Sequence, residues 1–153
     1  MTRSTQWLLG VLVAVGVLIG VAVVVSVTAG GETDFASDTP EGTVQAYLRA
    51  ISDRDAEAAW ALFSDELQDR CSVSTVRDAL RYGPRDFRAH LGDVVPRDGA
   101  TDVFVEVTER YGDSVFGGGE STFEHVFPLT QVEGGWRLVE ASWPVWCPAE
   151  PIR

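Results

Sequence analysis

The sequence predicts an α+β fold that follows one membrane-spanning helix. Apolar residues recur every three or four positions from residue 39 to residue 91, which is typical of helices. From residue 92 onward they alternate, which is typical of strands. Helices followed by a run of antiparallel strands form the α+β pattern. We therefore expect about three helices packed on a curved antiparallel sheet of about four strands.

The first element is the uncharged run Trp7–Val27. As a helix it would be about 31 Å long, enough to cross the hydrocarbon core of a bilayer. Arg3 precedes the run and every acid follows it, so the positive-inside rule predicts a cytoplasmic N-terminus (1–6) and a single-pass anchor (7–29). The rest of the chain would lie outside the cell membrane. Cleavage of a signal peptide after Ala29 is the alternative, although signal cores are usually shorter.

The charged residues are unusual in kind. There is no Lys, all twelve basic residues are Arg, and residues 32–153 contain 23 acids. This composition resembles proteins of extreme halophiles and indicates a halophilic archaeon, because a carboxylate-rich surface stays hydrated when molar salt screens other electrostatics. It argues against a nucleic-acid partner, which would require a basic patch.

The helical half begins after a polar linker (30–38). Thr39 and Pro40 are typical of a helix start. The first helix then carries one apolar stripe, which consists of Val44, Tyr47, Leu48 and Ile51. Further helical patterns follow: one with Ala59, Leu62 and Phe63, a short turn after Ser64 that ends near Arg70, and one capped by Ser72 or Ser74 that carries Val76 and Leu80. Phe87 and Leu91 predict one more helical turn.

The strands are expected after that turn. Residues 92–97 form a short strand, Asp98-Gly99 is a turn signal, and alternating valines predict a strand to about Tyr111. After a glycine-rich loop, two long strands would flank the turn at Glu133-Gly134-Gly135. Phe123, His125, Phe127 and Leu129 would share one face of this hairpin.

Two segments carry a resemblance to a known group. They are TPEGTVQAYLRAISDRDAEAAWALFS and VEGGWRLVEASW. With the order of elements, they resemble the nuclear transport factor 2-like superfamily, including its membrane-anchored, lumazine-binding-like members. The resemblance covers about 39–147, leaving a short tail (148–153). It implies a cone-shaped roll with a pocket between sheet and helices, and often dimers formed through the sheet.

The resemblance also implies which residues would line the pocket. The candidates are Tyr47, Trp60, Phe63, Val105, Phe123, His125, Trp136 and Leu138. We expect the domain to bind a small apolar ligand or a protein partner without catalysis. One alternative is an isomerase- or dehydratase-like enzyme with His125 as its acid–base group; another is a purely structural dimerisation module whose aromatic residues fill the cone. No cofactor and no metal site are expected.

The two cysteines, Cys71 and Cys147, are expected to form a disulfide, because oxidising conditions outside the cell favour one. The bond would tie the helical layer to the end of the last strand. It would close a loop of about 77 residues, which the chain-entropy model credits with about 4 kcal/mol. Two unpaired thiols are the alternative.

Overall fold

The computed structural model describes residues 34–112 and 118–147. Phe35–Arg153 belong to one compact unit. The predicted anchor (7–29), the first part of the linker (30–33) and the C-terminal tail (148–153) lie outside the described residues. Within the described ranges, no helix is long and apolar enough to cross a bilayer.

Four helices come first, where we expected about three. They are α1 (Pro40–Asp53), α2 (Ala56–Trp60), α3 (Asp65–Arg70) and α4 (Val73–Tyr82). The additional one is α3, because the short turn expected after Ser64 forms a six-residue helix. The whole stripe predicted for α1 is buried.

Polar caps explain where the helices begin. Each cap accepts a hydrogen bond from a backbone N–H of the first turn, which otherwise has no partner within the helix. The four caps are Thr39, Asp55, Ser64 and Ser72. Ser72, rather than Ser74, is therefore the cap of α4. That helix ends at Tyr82, with Gly83 as its C-cap.

Four strands form one antiparallel sheet in the order β1-β2-β3-β4. Their bounds are β1 (Phe87–Arg97), β2 (Ala100–Tyr111), β3 (Gly119–Val132) and β4 (Gly135–Leu138). The helical turn predicted over residues 87–91 is wrong, because these residues pair with β2. The strand predicted at 92–97 is only the second half of β1, which contains a register shift between Leu91 and Val94.

The hairpin of β3 and β4 forms at the predicted turn, where Gly134 and Gly135 both have positive φ angles. Its second strand has only four residues, so the expectation of two long strands is wrong for β4. The free edge of β4 is occupied. Leu138 donates its backbone N–H to the carbonyl of Leu62 at 2.9 Å. Its own carbonyl accepts a hydrogen bond from the backbone N–H of Ser64 at 2.8 Å.

The core lies on one side of the sheet, which we call the inner face. The residues at its centre are fully buried. They are Val103, Val105 and Val107 of β2 and Phe127 and Leu129 of β3. α1 packs against this sheet, and α2 packs on α1 and α4. The Tyr47 ring contacts Phe63 and Phe127, with centroids 6.1 and 5.8 Å apart.

Residues 139–147, here called the C-terminal strap, run back to the helical layer. Ser142 accepts a hydrogen bond from the Tyr47 hydroxyl at 3.1 Å and donates its own hydroxyl to the Val126 carbonyl at 2.6 Å. The strap ends in the expected disulfide, in which the Cα atoms of Cys71 and Cys147 are 5.5 Å apart. That separation lies within the usual range for a disulfide.

Candidate functional site

The eight residues predicted to line a pocket occupy different environments. Tyr47, Phe63, Val105 and Leu138 are at most 1% exposed and belong to the core. Trp60, His125 and Trp136 are partly buried, whereas Phe123 is 51% exposed. The structure thus places half of the set inside the packed interior and leaves the others around it.

Tyr47 illustrates what the interior can do. Burial raises the pKa of its phenol far above the usual range, so the group stays neutral. Its only described hydrogen bond goes to the carbonyl of Ser142. Tyr47 therefore acts as a buried donor that joins α1 to the C-terminal strap.

The two predicted pocket tryptophans lie away from the imidazole. Trp60 belongs to the helical layer, where its indole N–H donates to the carbonyl of Cys71 at 2.7 Å. Trp136 lies on β4 opposite Gln131. Ring contacts among the described residues join neither of them to His125.

A different tryptophan covers the imidazole. Trp143, on the C-terminal strap, is 5% exposed and stacks on His125 with ring centroids 5.8 Å apart. Its other neighbour is Phe87, edge-on at 4.7 Å. The indole N–H donates to a carboxylate oxygen of Glu109 at 2.6 Å. Trp143 therefore contacts three residues of the inner face, one on each of three strands: Phe87, Glu109 and His125.

This environment lowers the pKa of His125. Desolvation lowers its pKa from 6.5, and the nearby negative charge of Glu109 opposes the shift. Its Nε2 atom is buried and has no hydrogen-bond partner among the described residues. A buried nitrogen without a partner is unusual in a folded protein. Among the described residues it is the one buried side-chain nitrogen or oxygen atom without a hydrogen-bond partner.

Sequence reasoning missed Glu109 and Trp143. Glu109 continues the alternation of Val103, Val105 and Val107 by one more step, so the period of two contained the signal. Trp143 lies in a segment without regular structure. No periodicity could have assigned it to a face.

The opposite side of the sheet, here called the outer face, is much less covered. Val95 and Val126 are 42% and 38% exposed, and Phe104 between them is partly exposed. Val95 and Phe104, with five neighbouring residues, line a groove of about 440 Å³. Its complete lining is His90, Gly92, Asp93, Val95, Phe104, Glu106 and Glu124.

The charges of the outer face are unevenly paired. Arg88 and Arg110 both bind Glu120, each with a nitrogen 3.0 Å from the same carboxylate oxygen. These two arginines lower the pKa of Glu120. Glu106 and Glu124, which are cross-strand neighbours, take part in none of the ion pairs of the described residues.

Comparisons with known proteins identify the fold. The sequence matches no protein-family model, and no curated protein is similar to it at a significant level. Similar solved structures include a SEC-C motif containing protein from Rhodopseudomonas palustris, at 17% identity and a TM-score of 0.56 over 69% of this chain and 79% of that one. A variant named Rd1NTF2_05 matches at 9% identity and 0.50, over 67% of this chain and 93% of that one.

A third similar structure is described as a calcium/calmodulin-dependent protein kinase type II association domain from Thiobacillus denitrificans. It is 15% identical with a TM-score of 0.54, over 80% of this chain and 100% of that one. The fold is nuclear transport factor 2-like. The fold expected from the two sequence segments is thereby confirmed, and identities this low say nothing about activity.

In this nuclear transport factor 2-like domain, the two faces offer different chemistry. The inner face provides one imidazole and one carboxylate beneath an indole. The outer face provides an apolar groove beside carboxylates. Among the described residues no cluster of three or more His, Cys, Asp or Glu side chains could hold a metal ion.

Proposed function

We propose that this protein is a membrane-anchored association domain whose outer face pairs with a second copy. Residues 7–29 would anchor it, with the domain outside the cell and the N-terminus in the cytoplasm. The observation that carries the proposal is the exposed apolar band of Val95, Phe104 and Val126 on a sheet face over which no described helix packs.

The interior favours association over enclosure of a ligand. Large side chains that could have lined a cavity are in ring-to-ring contact, as Tyr47 is with Phe63 and Phe127. Trp143 covers a further part of the inner face. The similar structure described as an association domain supports the same choice, because this chain covers that protein's whole length.

The proposed location is supported by the sequence and by the disulfide. An uncharged run of 21 residues that follows a single Arg is typical of a signal anchor. The Cys71–Cys147 bond suits an oxidising compartment outside the cytoplasm. The excess of carboxylates suits a surface that faces concentrated salt.

Sedimentation of the full chain in density-matched detergent micelles at high salt tests the pairing. We expect a dimer for the wild type and a monomer for Phe104→Glu, because the substitution puts a charge at the centre of the apolar band. Gln131→Glu adds the same charge at an exposed position near the β3–β4 turn and should leave the dimer intact. A wild-type monomer, or equal effects of the two substitutions, would refute the proposal.

A test of location is independent of pairing. The wild-type protein should stay with the membrane fraction after alkaline carbonate extraction, and external protease should digest the domain in intact cells. Release into the carbonate supernatant would exclude the anchor. N-terminal sequencing of the mature protein would then decide whether cleavage occurs after Ala29.

A second candidate function is the binding of a small apolar ligand on the inner face. It is favoured by the unpartnered Nε2 of His125 and by the half-exposed ring of Phe123, two residues away on the same strand face. Native mass spectrometry of the purified full chain would show a bound small molecule, and His125→Leu should reduce its occupancy. A protein without any bound molecule, both before and after incubation with lipid extracts, would contradict this function.

A further inference from the structure

The carboxylates of the outer groove stand beside its apolar centre. Asp93, Glu106 and Glu124 all line the groove and all are exposed. Glu106 is two residues from Phe104 along β2, about 7 Å at the usual rise of a strand. The register places Glu124 directly opposite Glu106 on β3. Like charges in such positions repel even within one copy.

Other charges of this face are paired within the chain. Arg97 is engaged by Asp102, whereas Arg88 and Arg110 share the single carboxylate of Glu120, which leaves one net positive charge at that end of the face. No arginine in the described ranges pairs with the carboxylates of the groove. Each copy therefore presents three uncompensated negative charges around an apolar band.

Pairing of two copies would concentrate these charges. If a two-fold axis passes near Phe104 and along β2, each residue row lies over the same row of the partner, and the two Glu106 side chains meet. If the axis crosses the strands instead, the Glu106 positions are separated by about 14 Å along the strand direction. The first arrangement brings the carboxylates of the two copies close together, whereas in the second the separation of about 14 Å exceeds the Debye length of about 10 Å at 0.1 M salt. Repulsion is therefore strong when the axis runs along β2.

The area of the contact makes this repulsion decisive. Three strands about 4.8 Å apart and about ten residues long form a patch of about 500 Å² on each copy. Two such patches bury about 1,000 Å², at the lower limit for specific association. Because the apolar contact is this small, repulsion among six like charges is enough to decide whether two copies associate.

We infer that Asp93, Glu106 and Glu124 make pairing of the outer faces depend on ionic strength, so that two copies associate in concentrated salt and separate in dilute salt. This inference rests on the proposed pairing of the outer faces. Screening is the physical cause. The Debye length falls from about 10 Å at 0.1 M salt to about 3 Å at 1 M, which is shorter than the distances between these carboxylates.

The test compares the wild type with Glu106→Gln/Glu124→Gln. Sedimentation of the full chain in density-matched micelles gives the dissociation constant at about 2 M and about 0.15 M KCl, with circular dichroism as the check that each sample remains folded. We expect the wild-type constant to rise at least about tenfold in dilute salt, and that of the double variant to rise less than about threefold. At about 0.15 M salt the double variant should therefore be the tighter dimer.

A control variant separates local charge from net charge. Glu66→Gln/Glu133→Gln removes the same two charges, from α3 and from the β3–β4 turn, and should behave as the wild type does. If the control and the groove variant respond alike, the inference is overturned while pairing stands. Weaker pairing of the groove variant would show that these carboxylates attract a cationic group, and would also overturn it. If every protein is monomeric at both salt concentrations, the proposed pairing itself is wrong.

Discussion

Trp143→Ala should lower the free energy of unfolding by about 3–5 kcal/mol, the usual cost of truncating a buried aromatic residue. The side chain is 5% exposed and contacts the rings of Phe87 and His125. Its hydrogen bond to Glu109 adds about 1 kcal/mol, which places the expected loss in the upper half of that range. Small domains are stable by only about 5–15 kcal/mol, so the effect is large.

Trp146→Ala is the matched control. It makes the same chemical change three residues further along the C-terminal strap, where the side chain is 73% exposed. We expect a change within about 0.5 kcal/mol. A third variant, Trp143→Phe, keeps an aromatic ring and removes the N–H donor. It should cost less than Trp143→Ala, because most of the loss comes from packing.

Urea unfolding of the full chain in detergent micelles, at one salt concentration, measures all three variants. Far-ultraviolet circular dichroism is the suitable signal because it reports helices and strands, whereas fluorescence would change with the number of indoles. Equal stabilities of Trp143→Ala and Trp146→Ala would refute the reasoning. They would mean that the strap adds no packing to the inner face.

Three further predictions concern stability. Cys71→Ala/Cys147→Ala should lower the free energy of unfolding by about 4 kcal/mol, and reductant should do the same to the wild type alone; a wild type that is insensitive to reductant would contradict this. The folded-state pKa of His125 lies below its ordinary 6.5, so its contribution to stability is complete above pH 6.5 and is lost as the pH falls through the folded-state pKa. In denaturant titrations His125→Gln should therefore lose less stability on acidification than the wild type does. Parallel pH profiles of the two proteins would contradict this prediction. Thr39→Ala should cost about 1 kcal/mol in thermal unfolding, and Ser37→Ala almost nothing; equal losses would exclude a capping role.

The sequence was most informative where one period applied without interruption. The stripe from Val44 to Ile51 fits only a helix of 3.6 residues per turn, and α1 buries all of it. Phe87 and Leu91 are spaced by four, which suits one turn of helix and two steps of a strand equally well. The register shift after Leu91 then places Val94 three residues on, so the alternation that would have settled the question is broken.

The candidate site was less predictable because its cover has no regular structure. The shared face of Phe123, His125, Phe127 and Leu129 follows from alternation alone, and β3 pairs with β2 in the register that this face requires. What covers the face does not follow from alternation. Trp143 reaches it through a strap held by side-chain hydrogen bonds and a disulfide, and neither leaves a periodic signal in the sequence.

The edges of the sheet also bear on how two copies could meet. At one edge, β1 contains a register shift after Leu91 and a proline at position 96, both of which discourage the addition of another strand. At the other edge, Leu138 already bonds with Leu62 and Ser64. With the inner face covered by helices and strap, the outer face is the remaining large surface of the described sheet. A purely apolar outer face would associate in any solution, whereas carboxylates beside Phe104 make association conditional on salt.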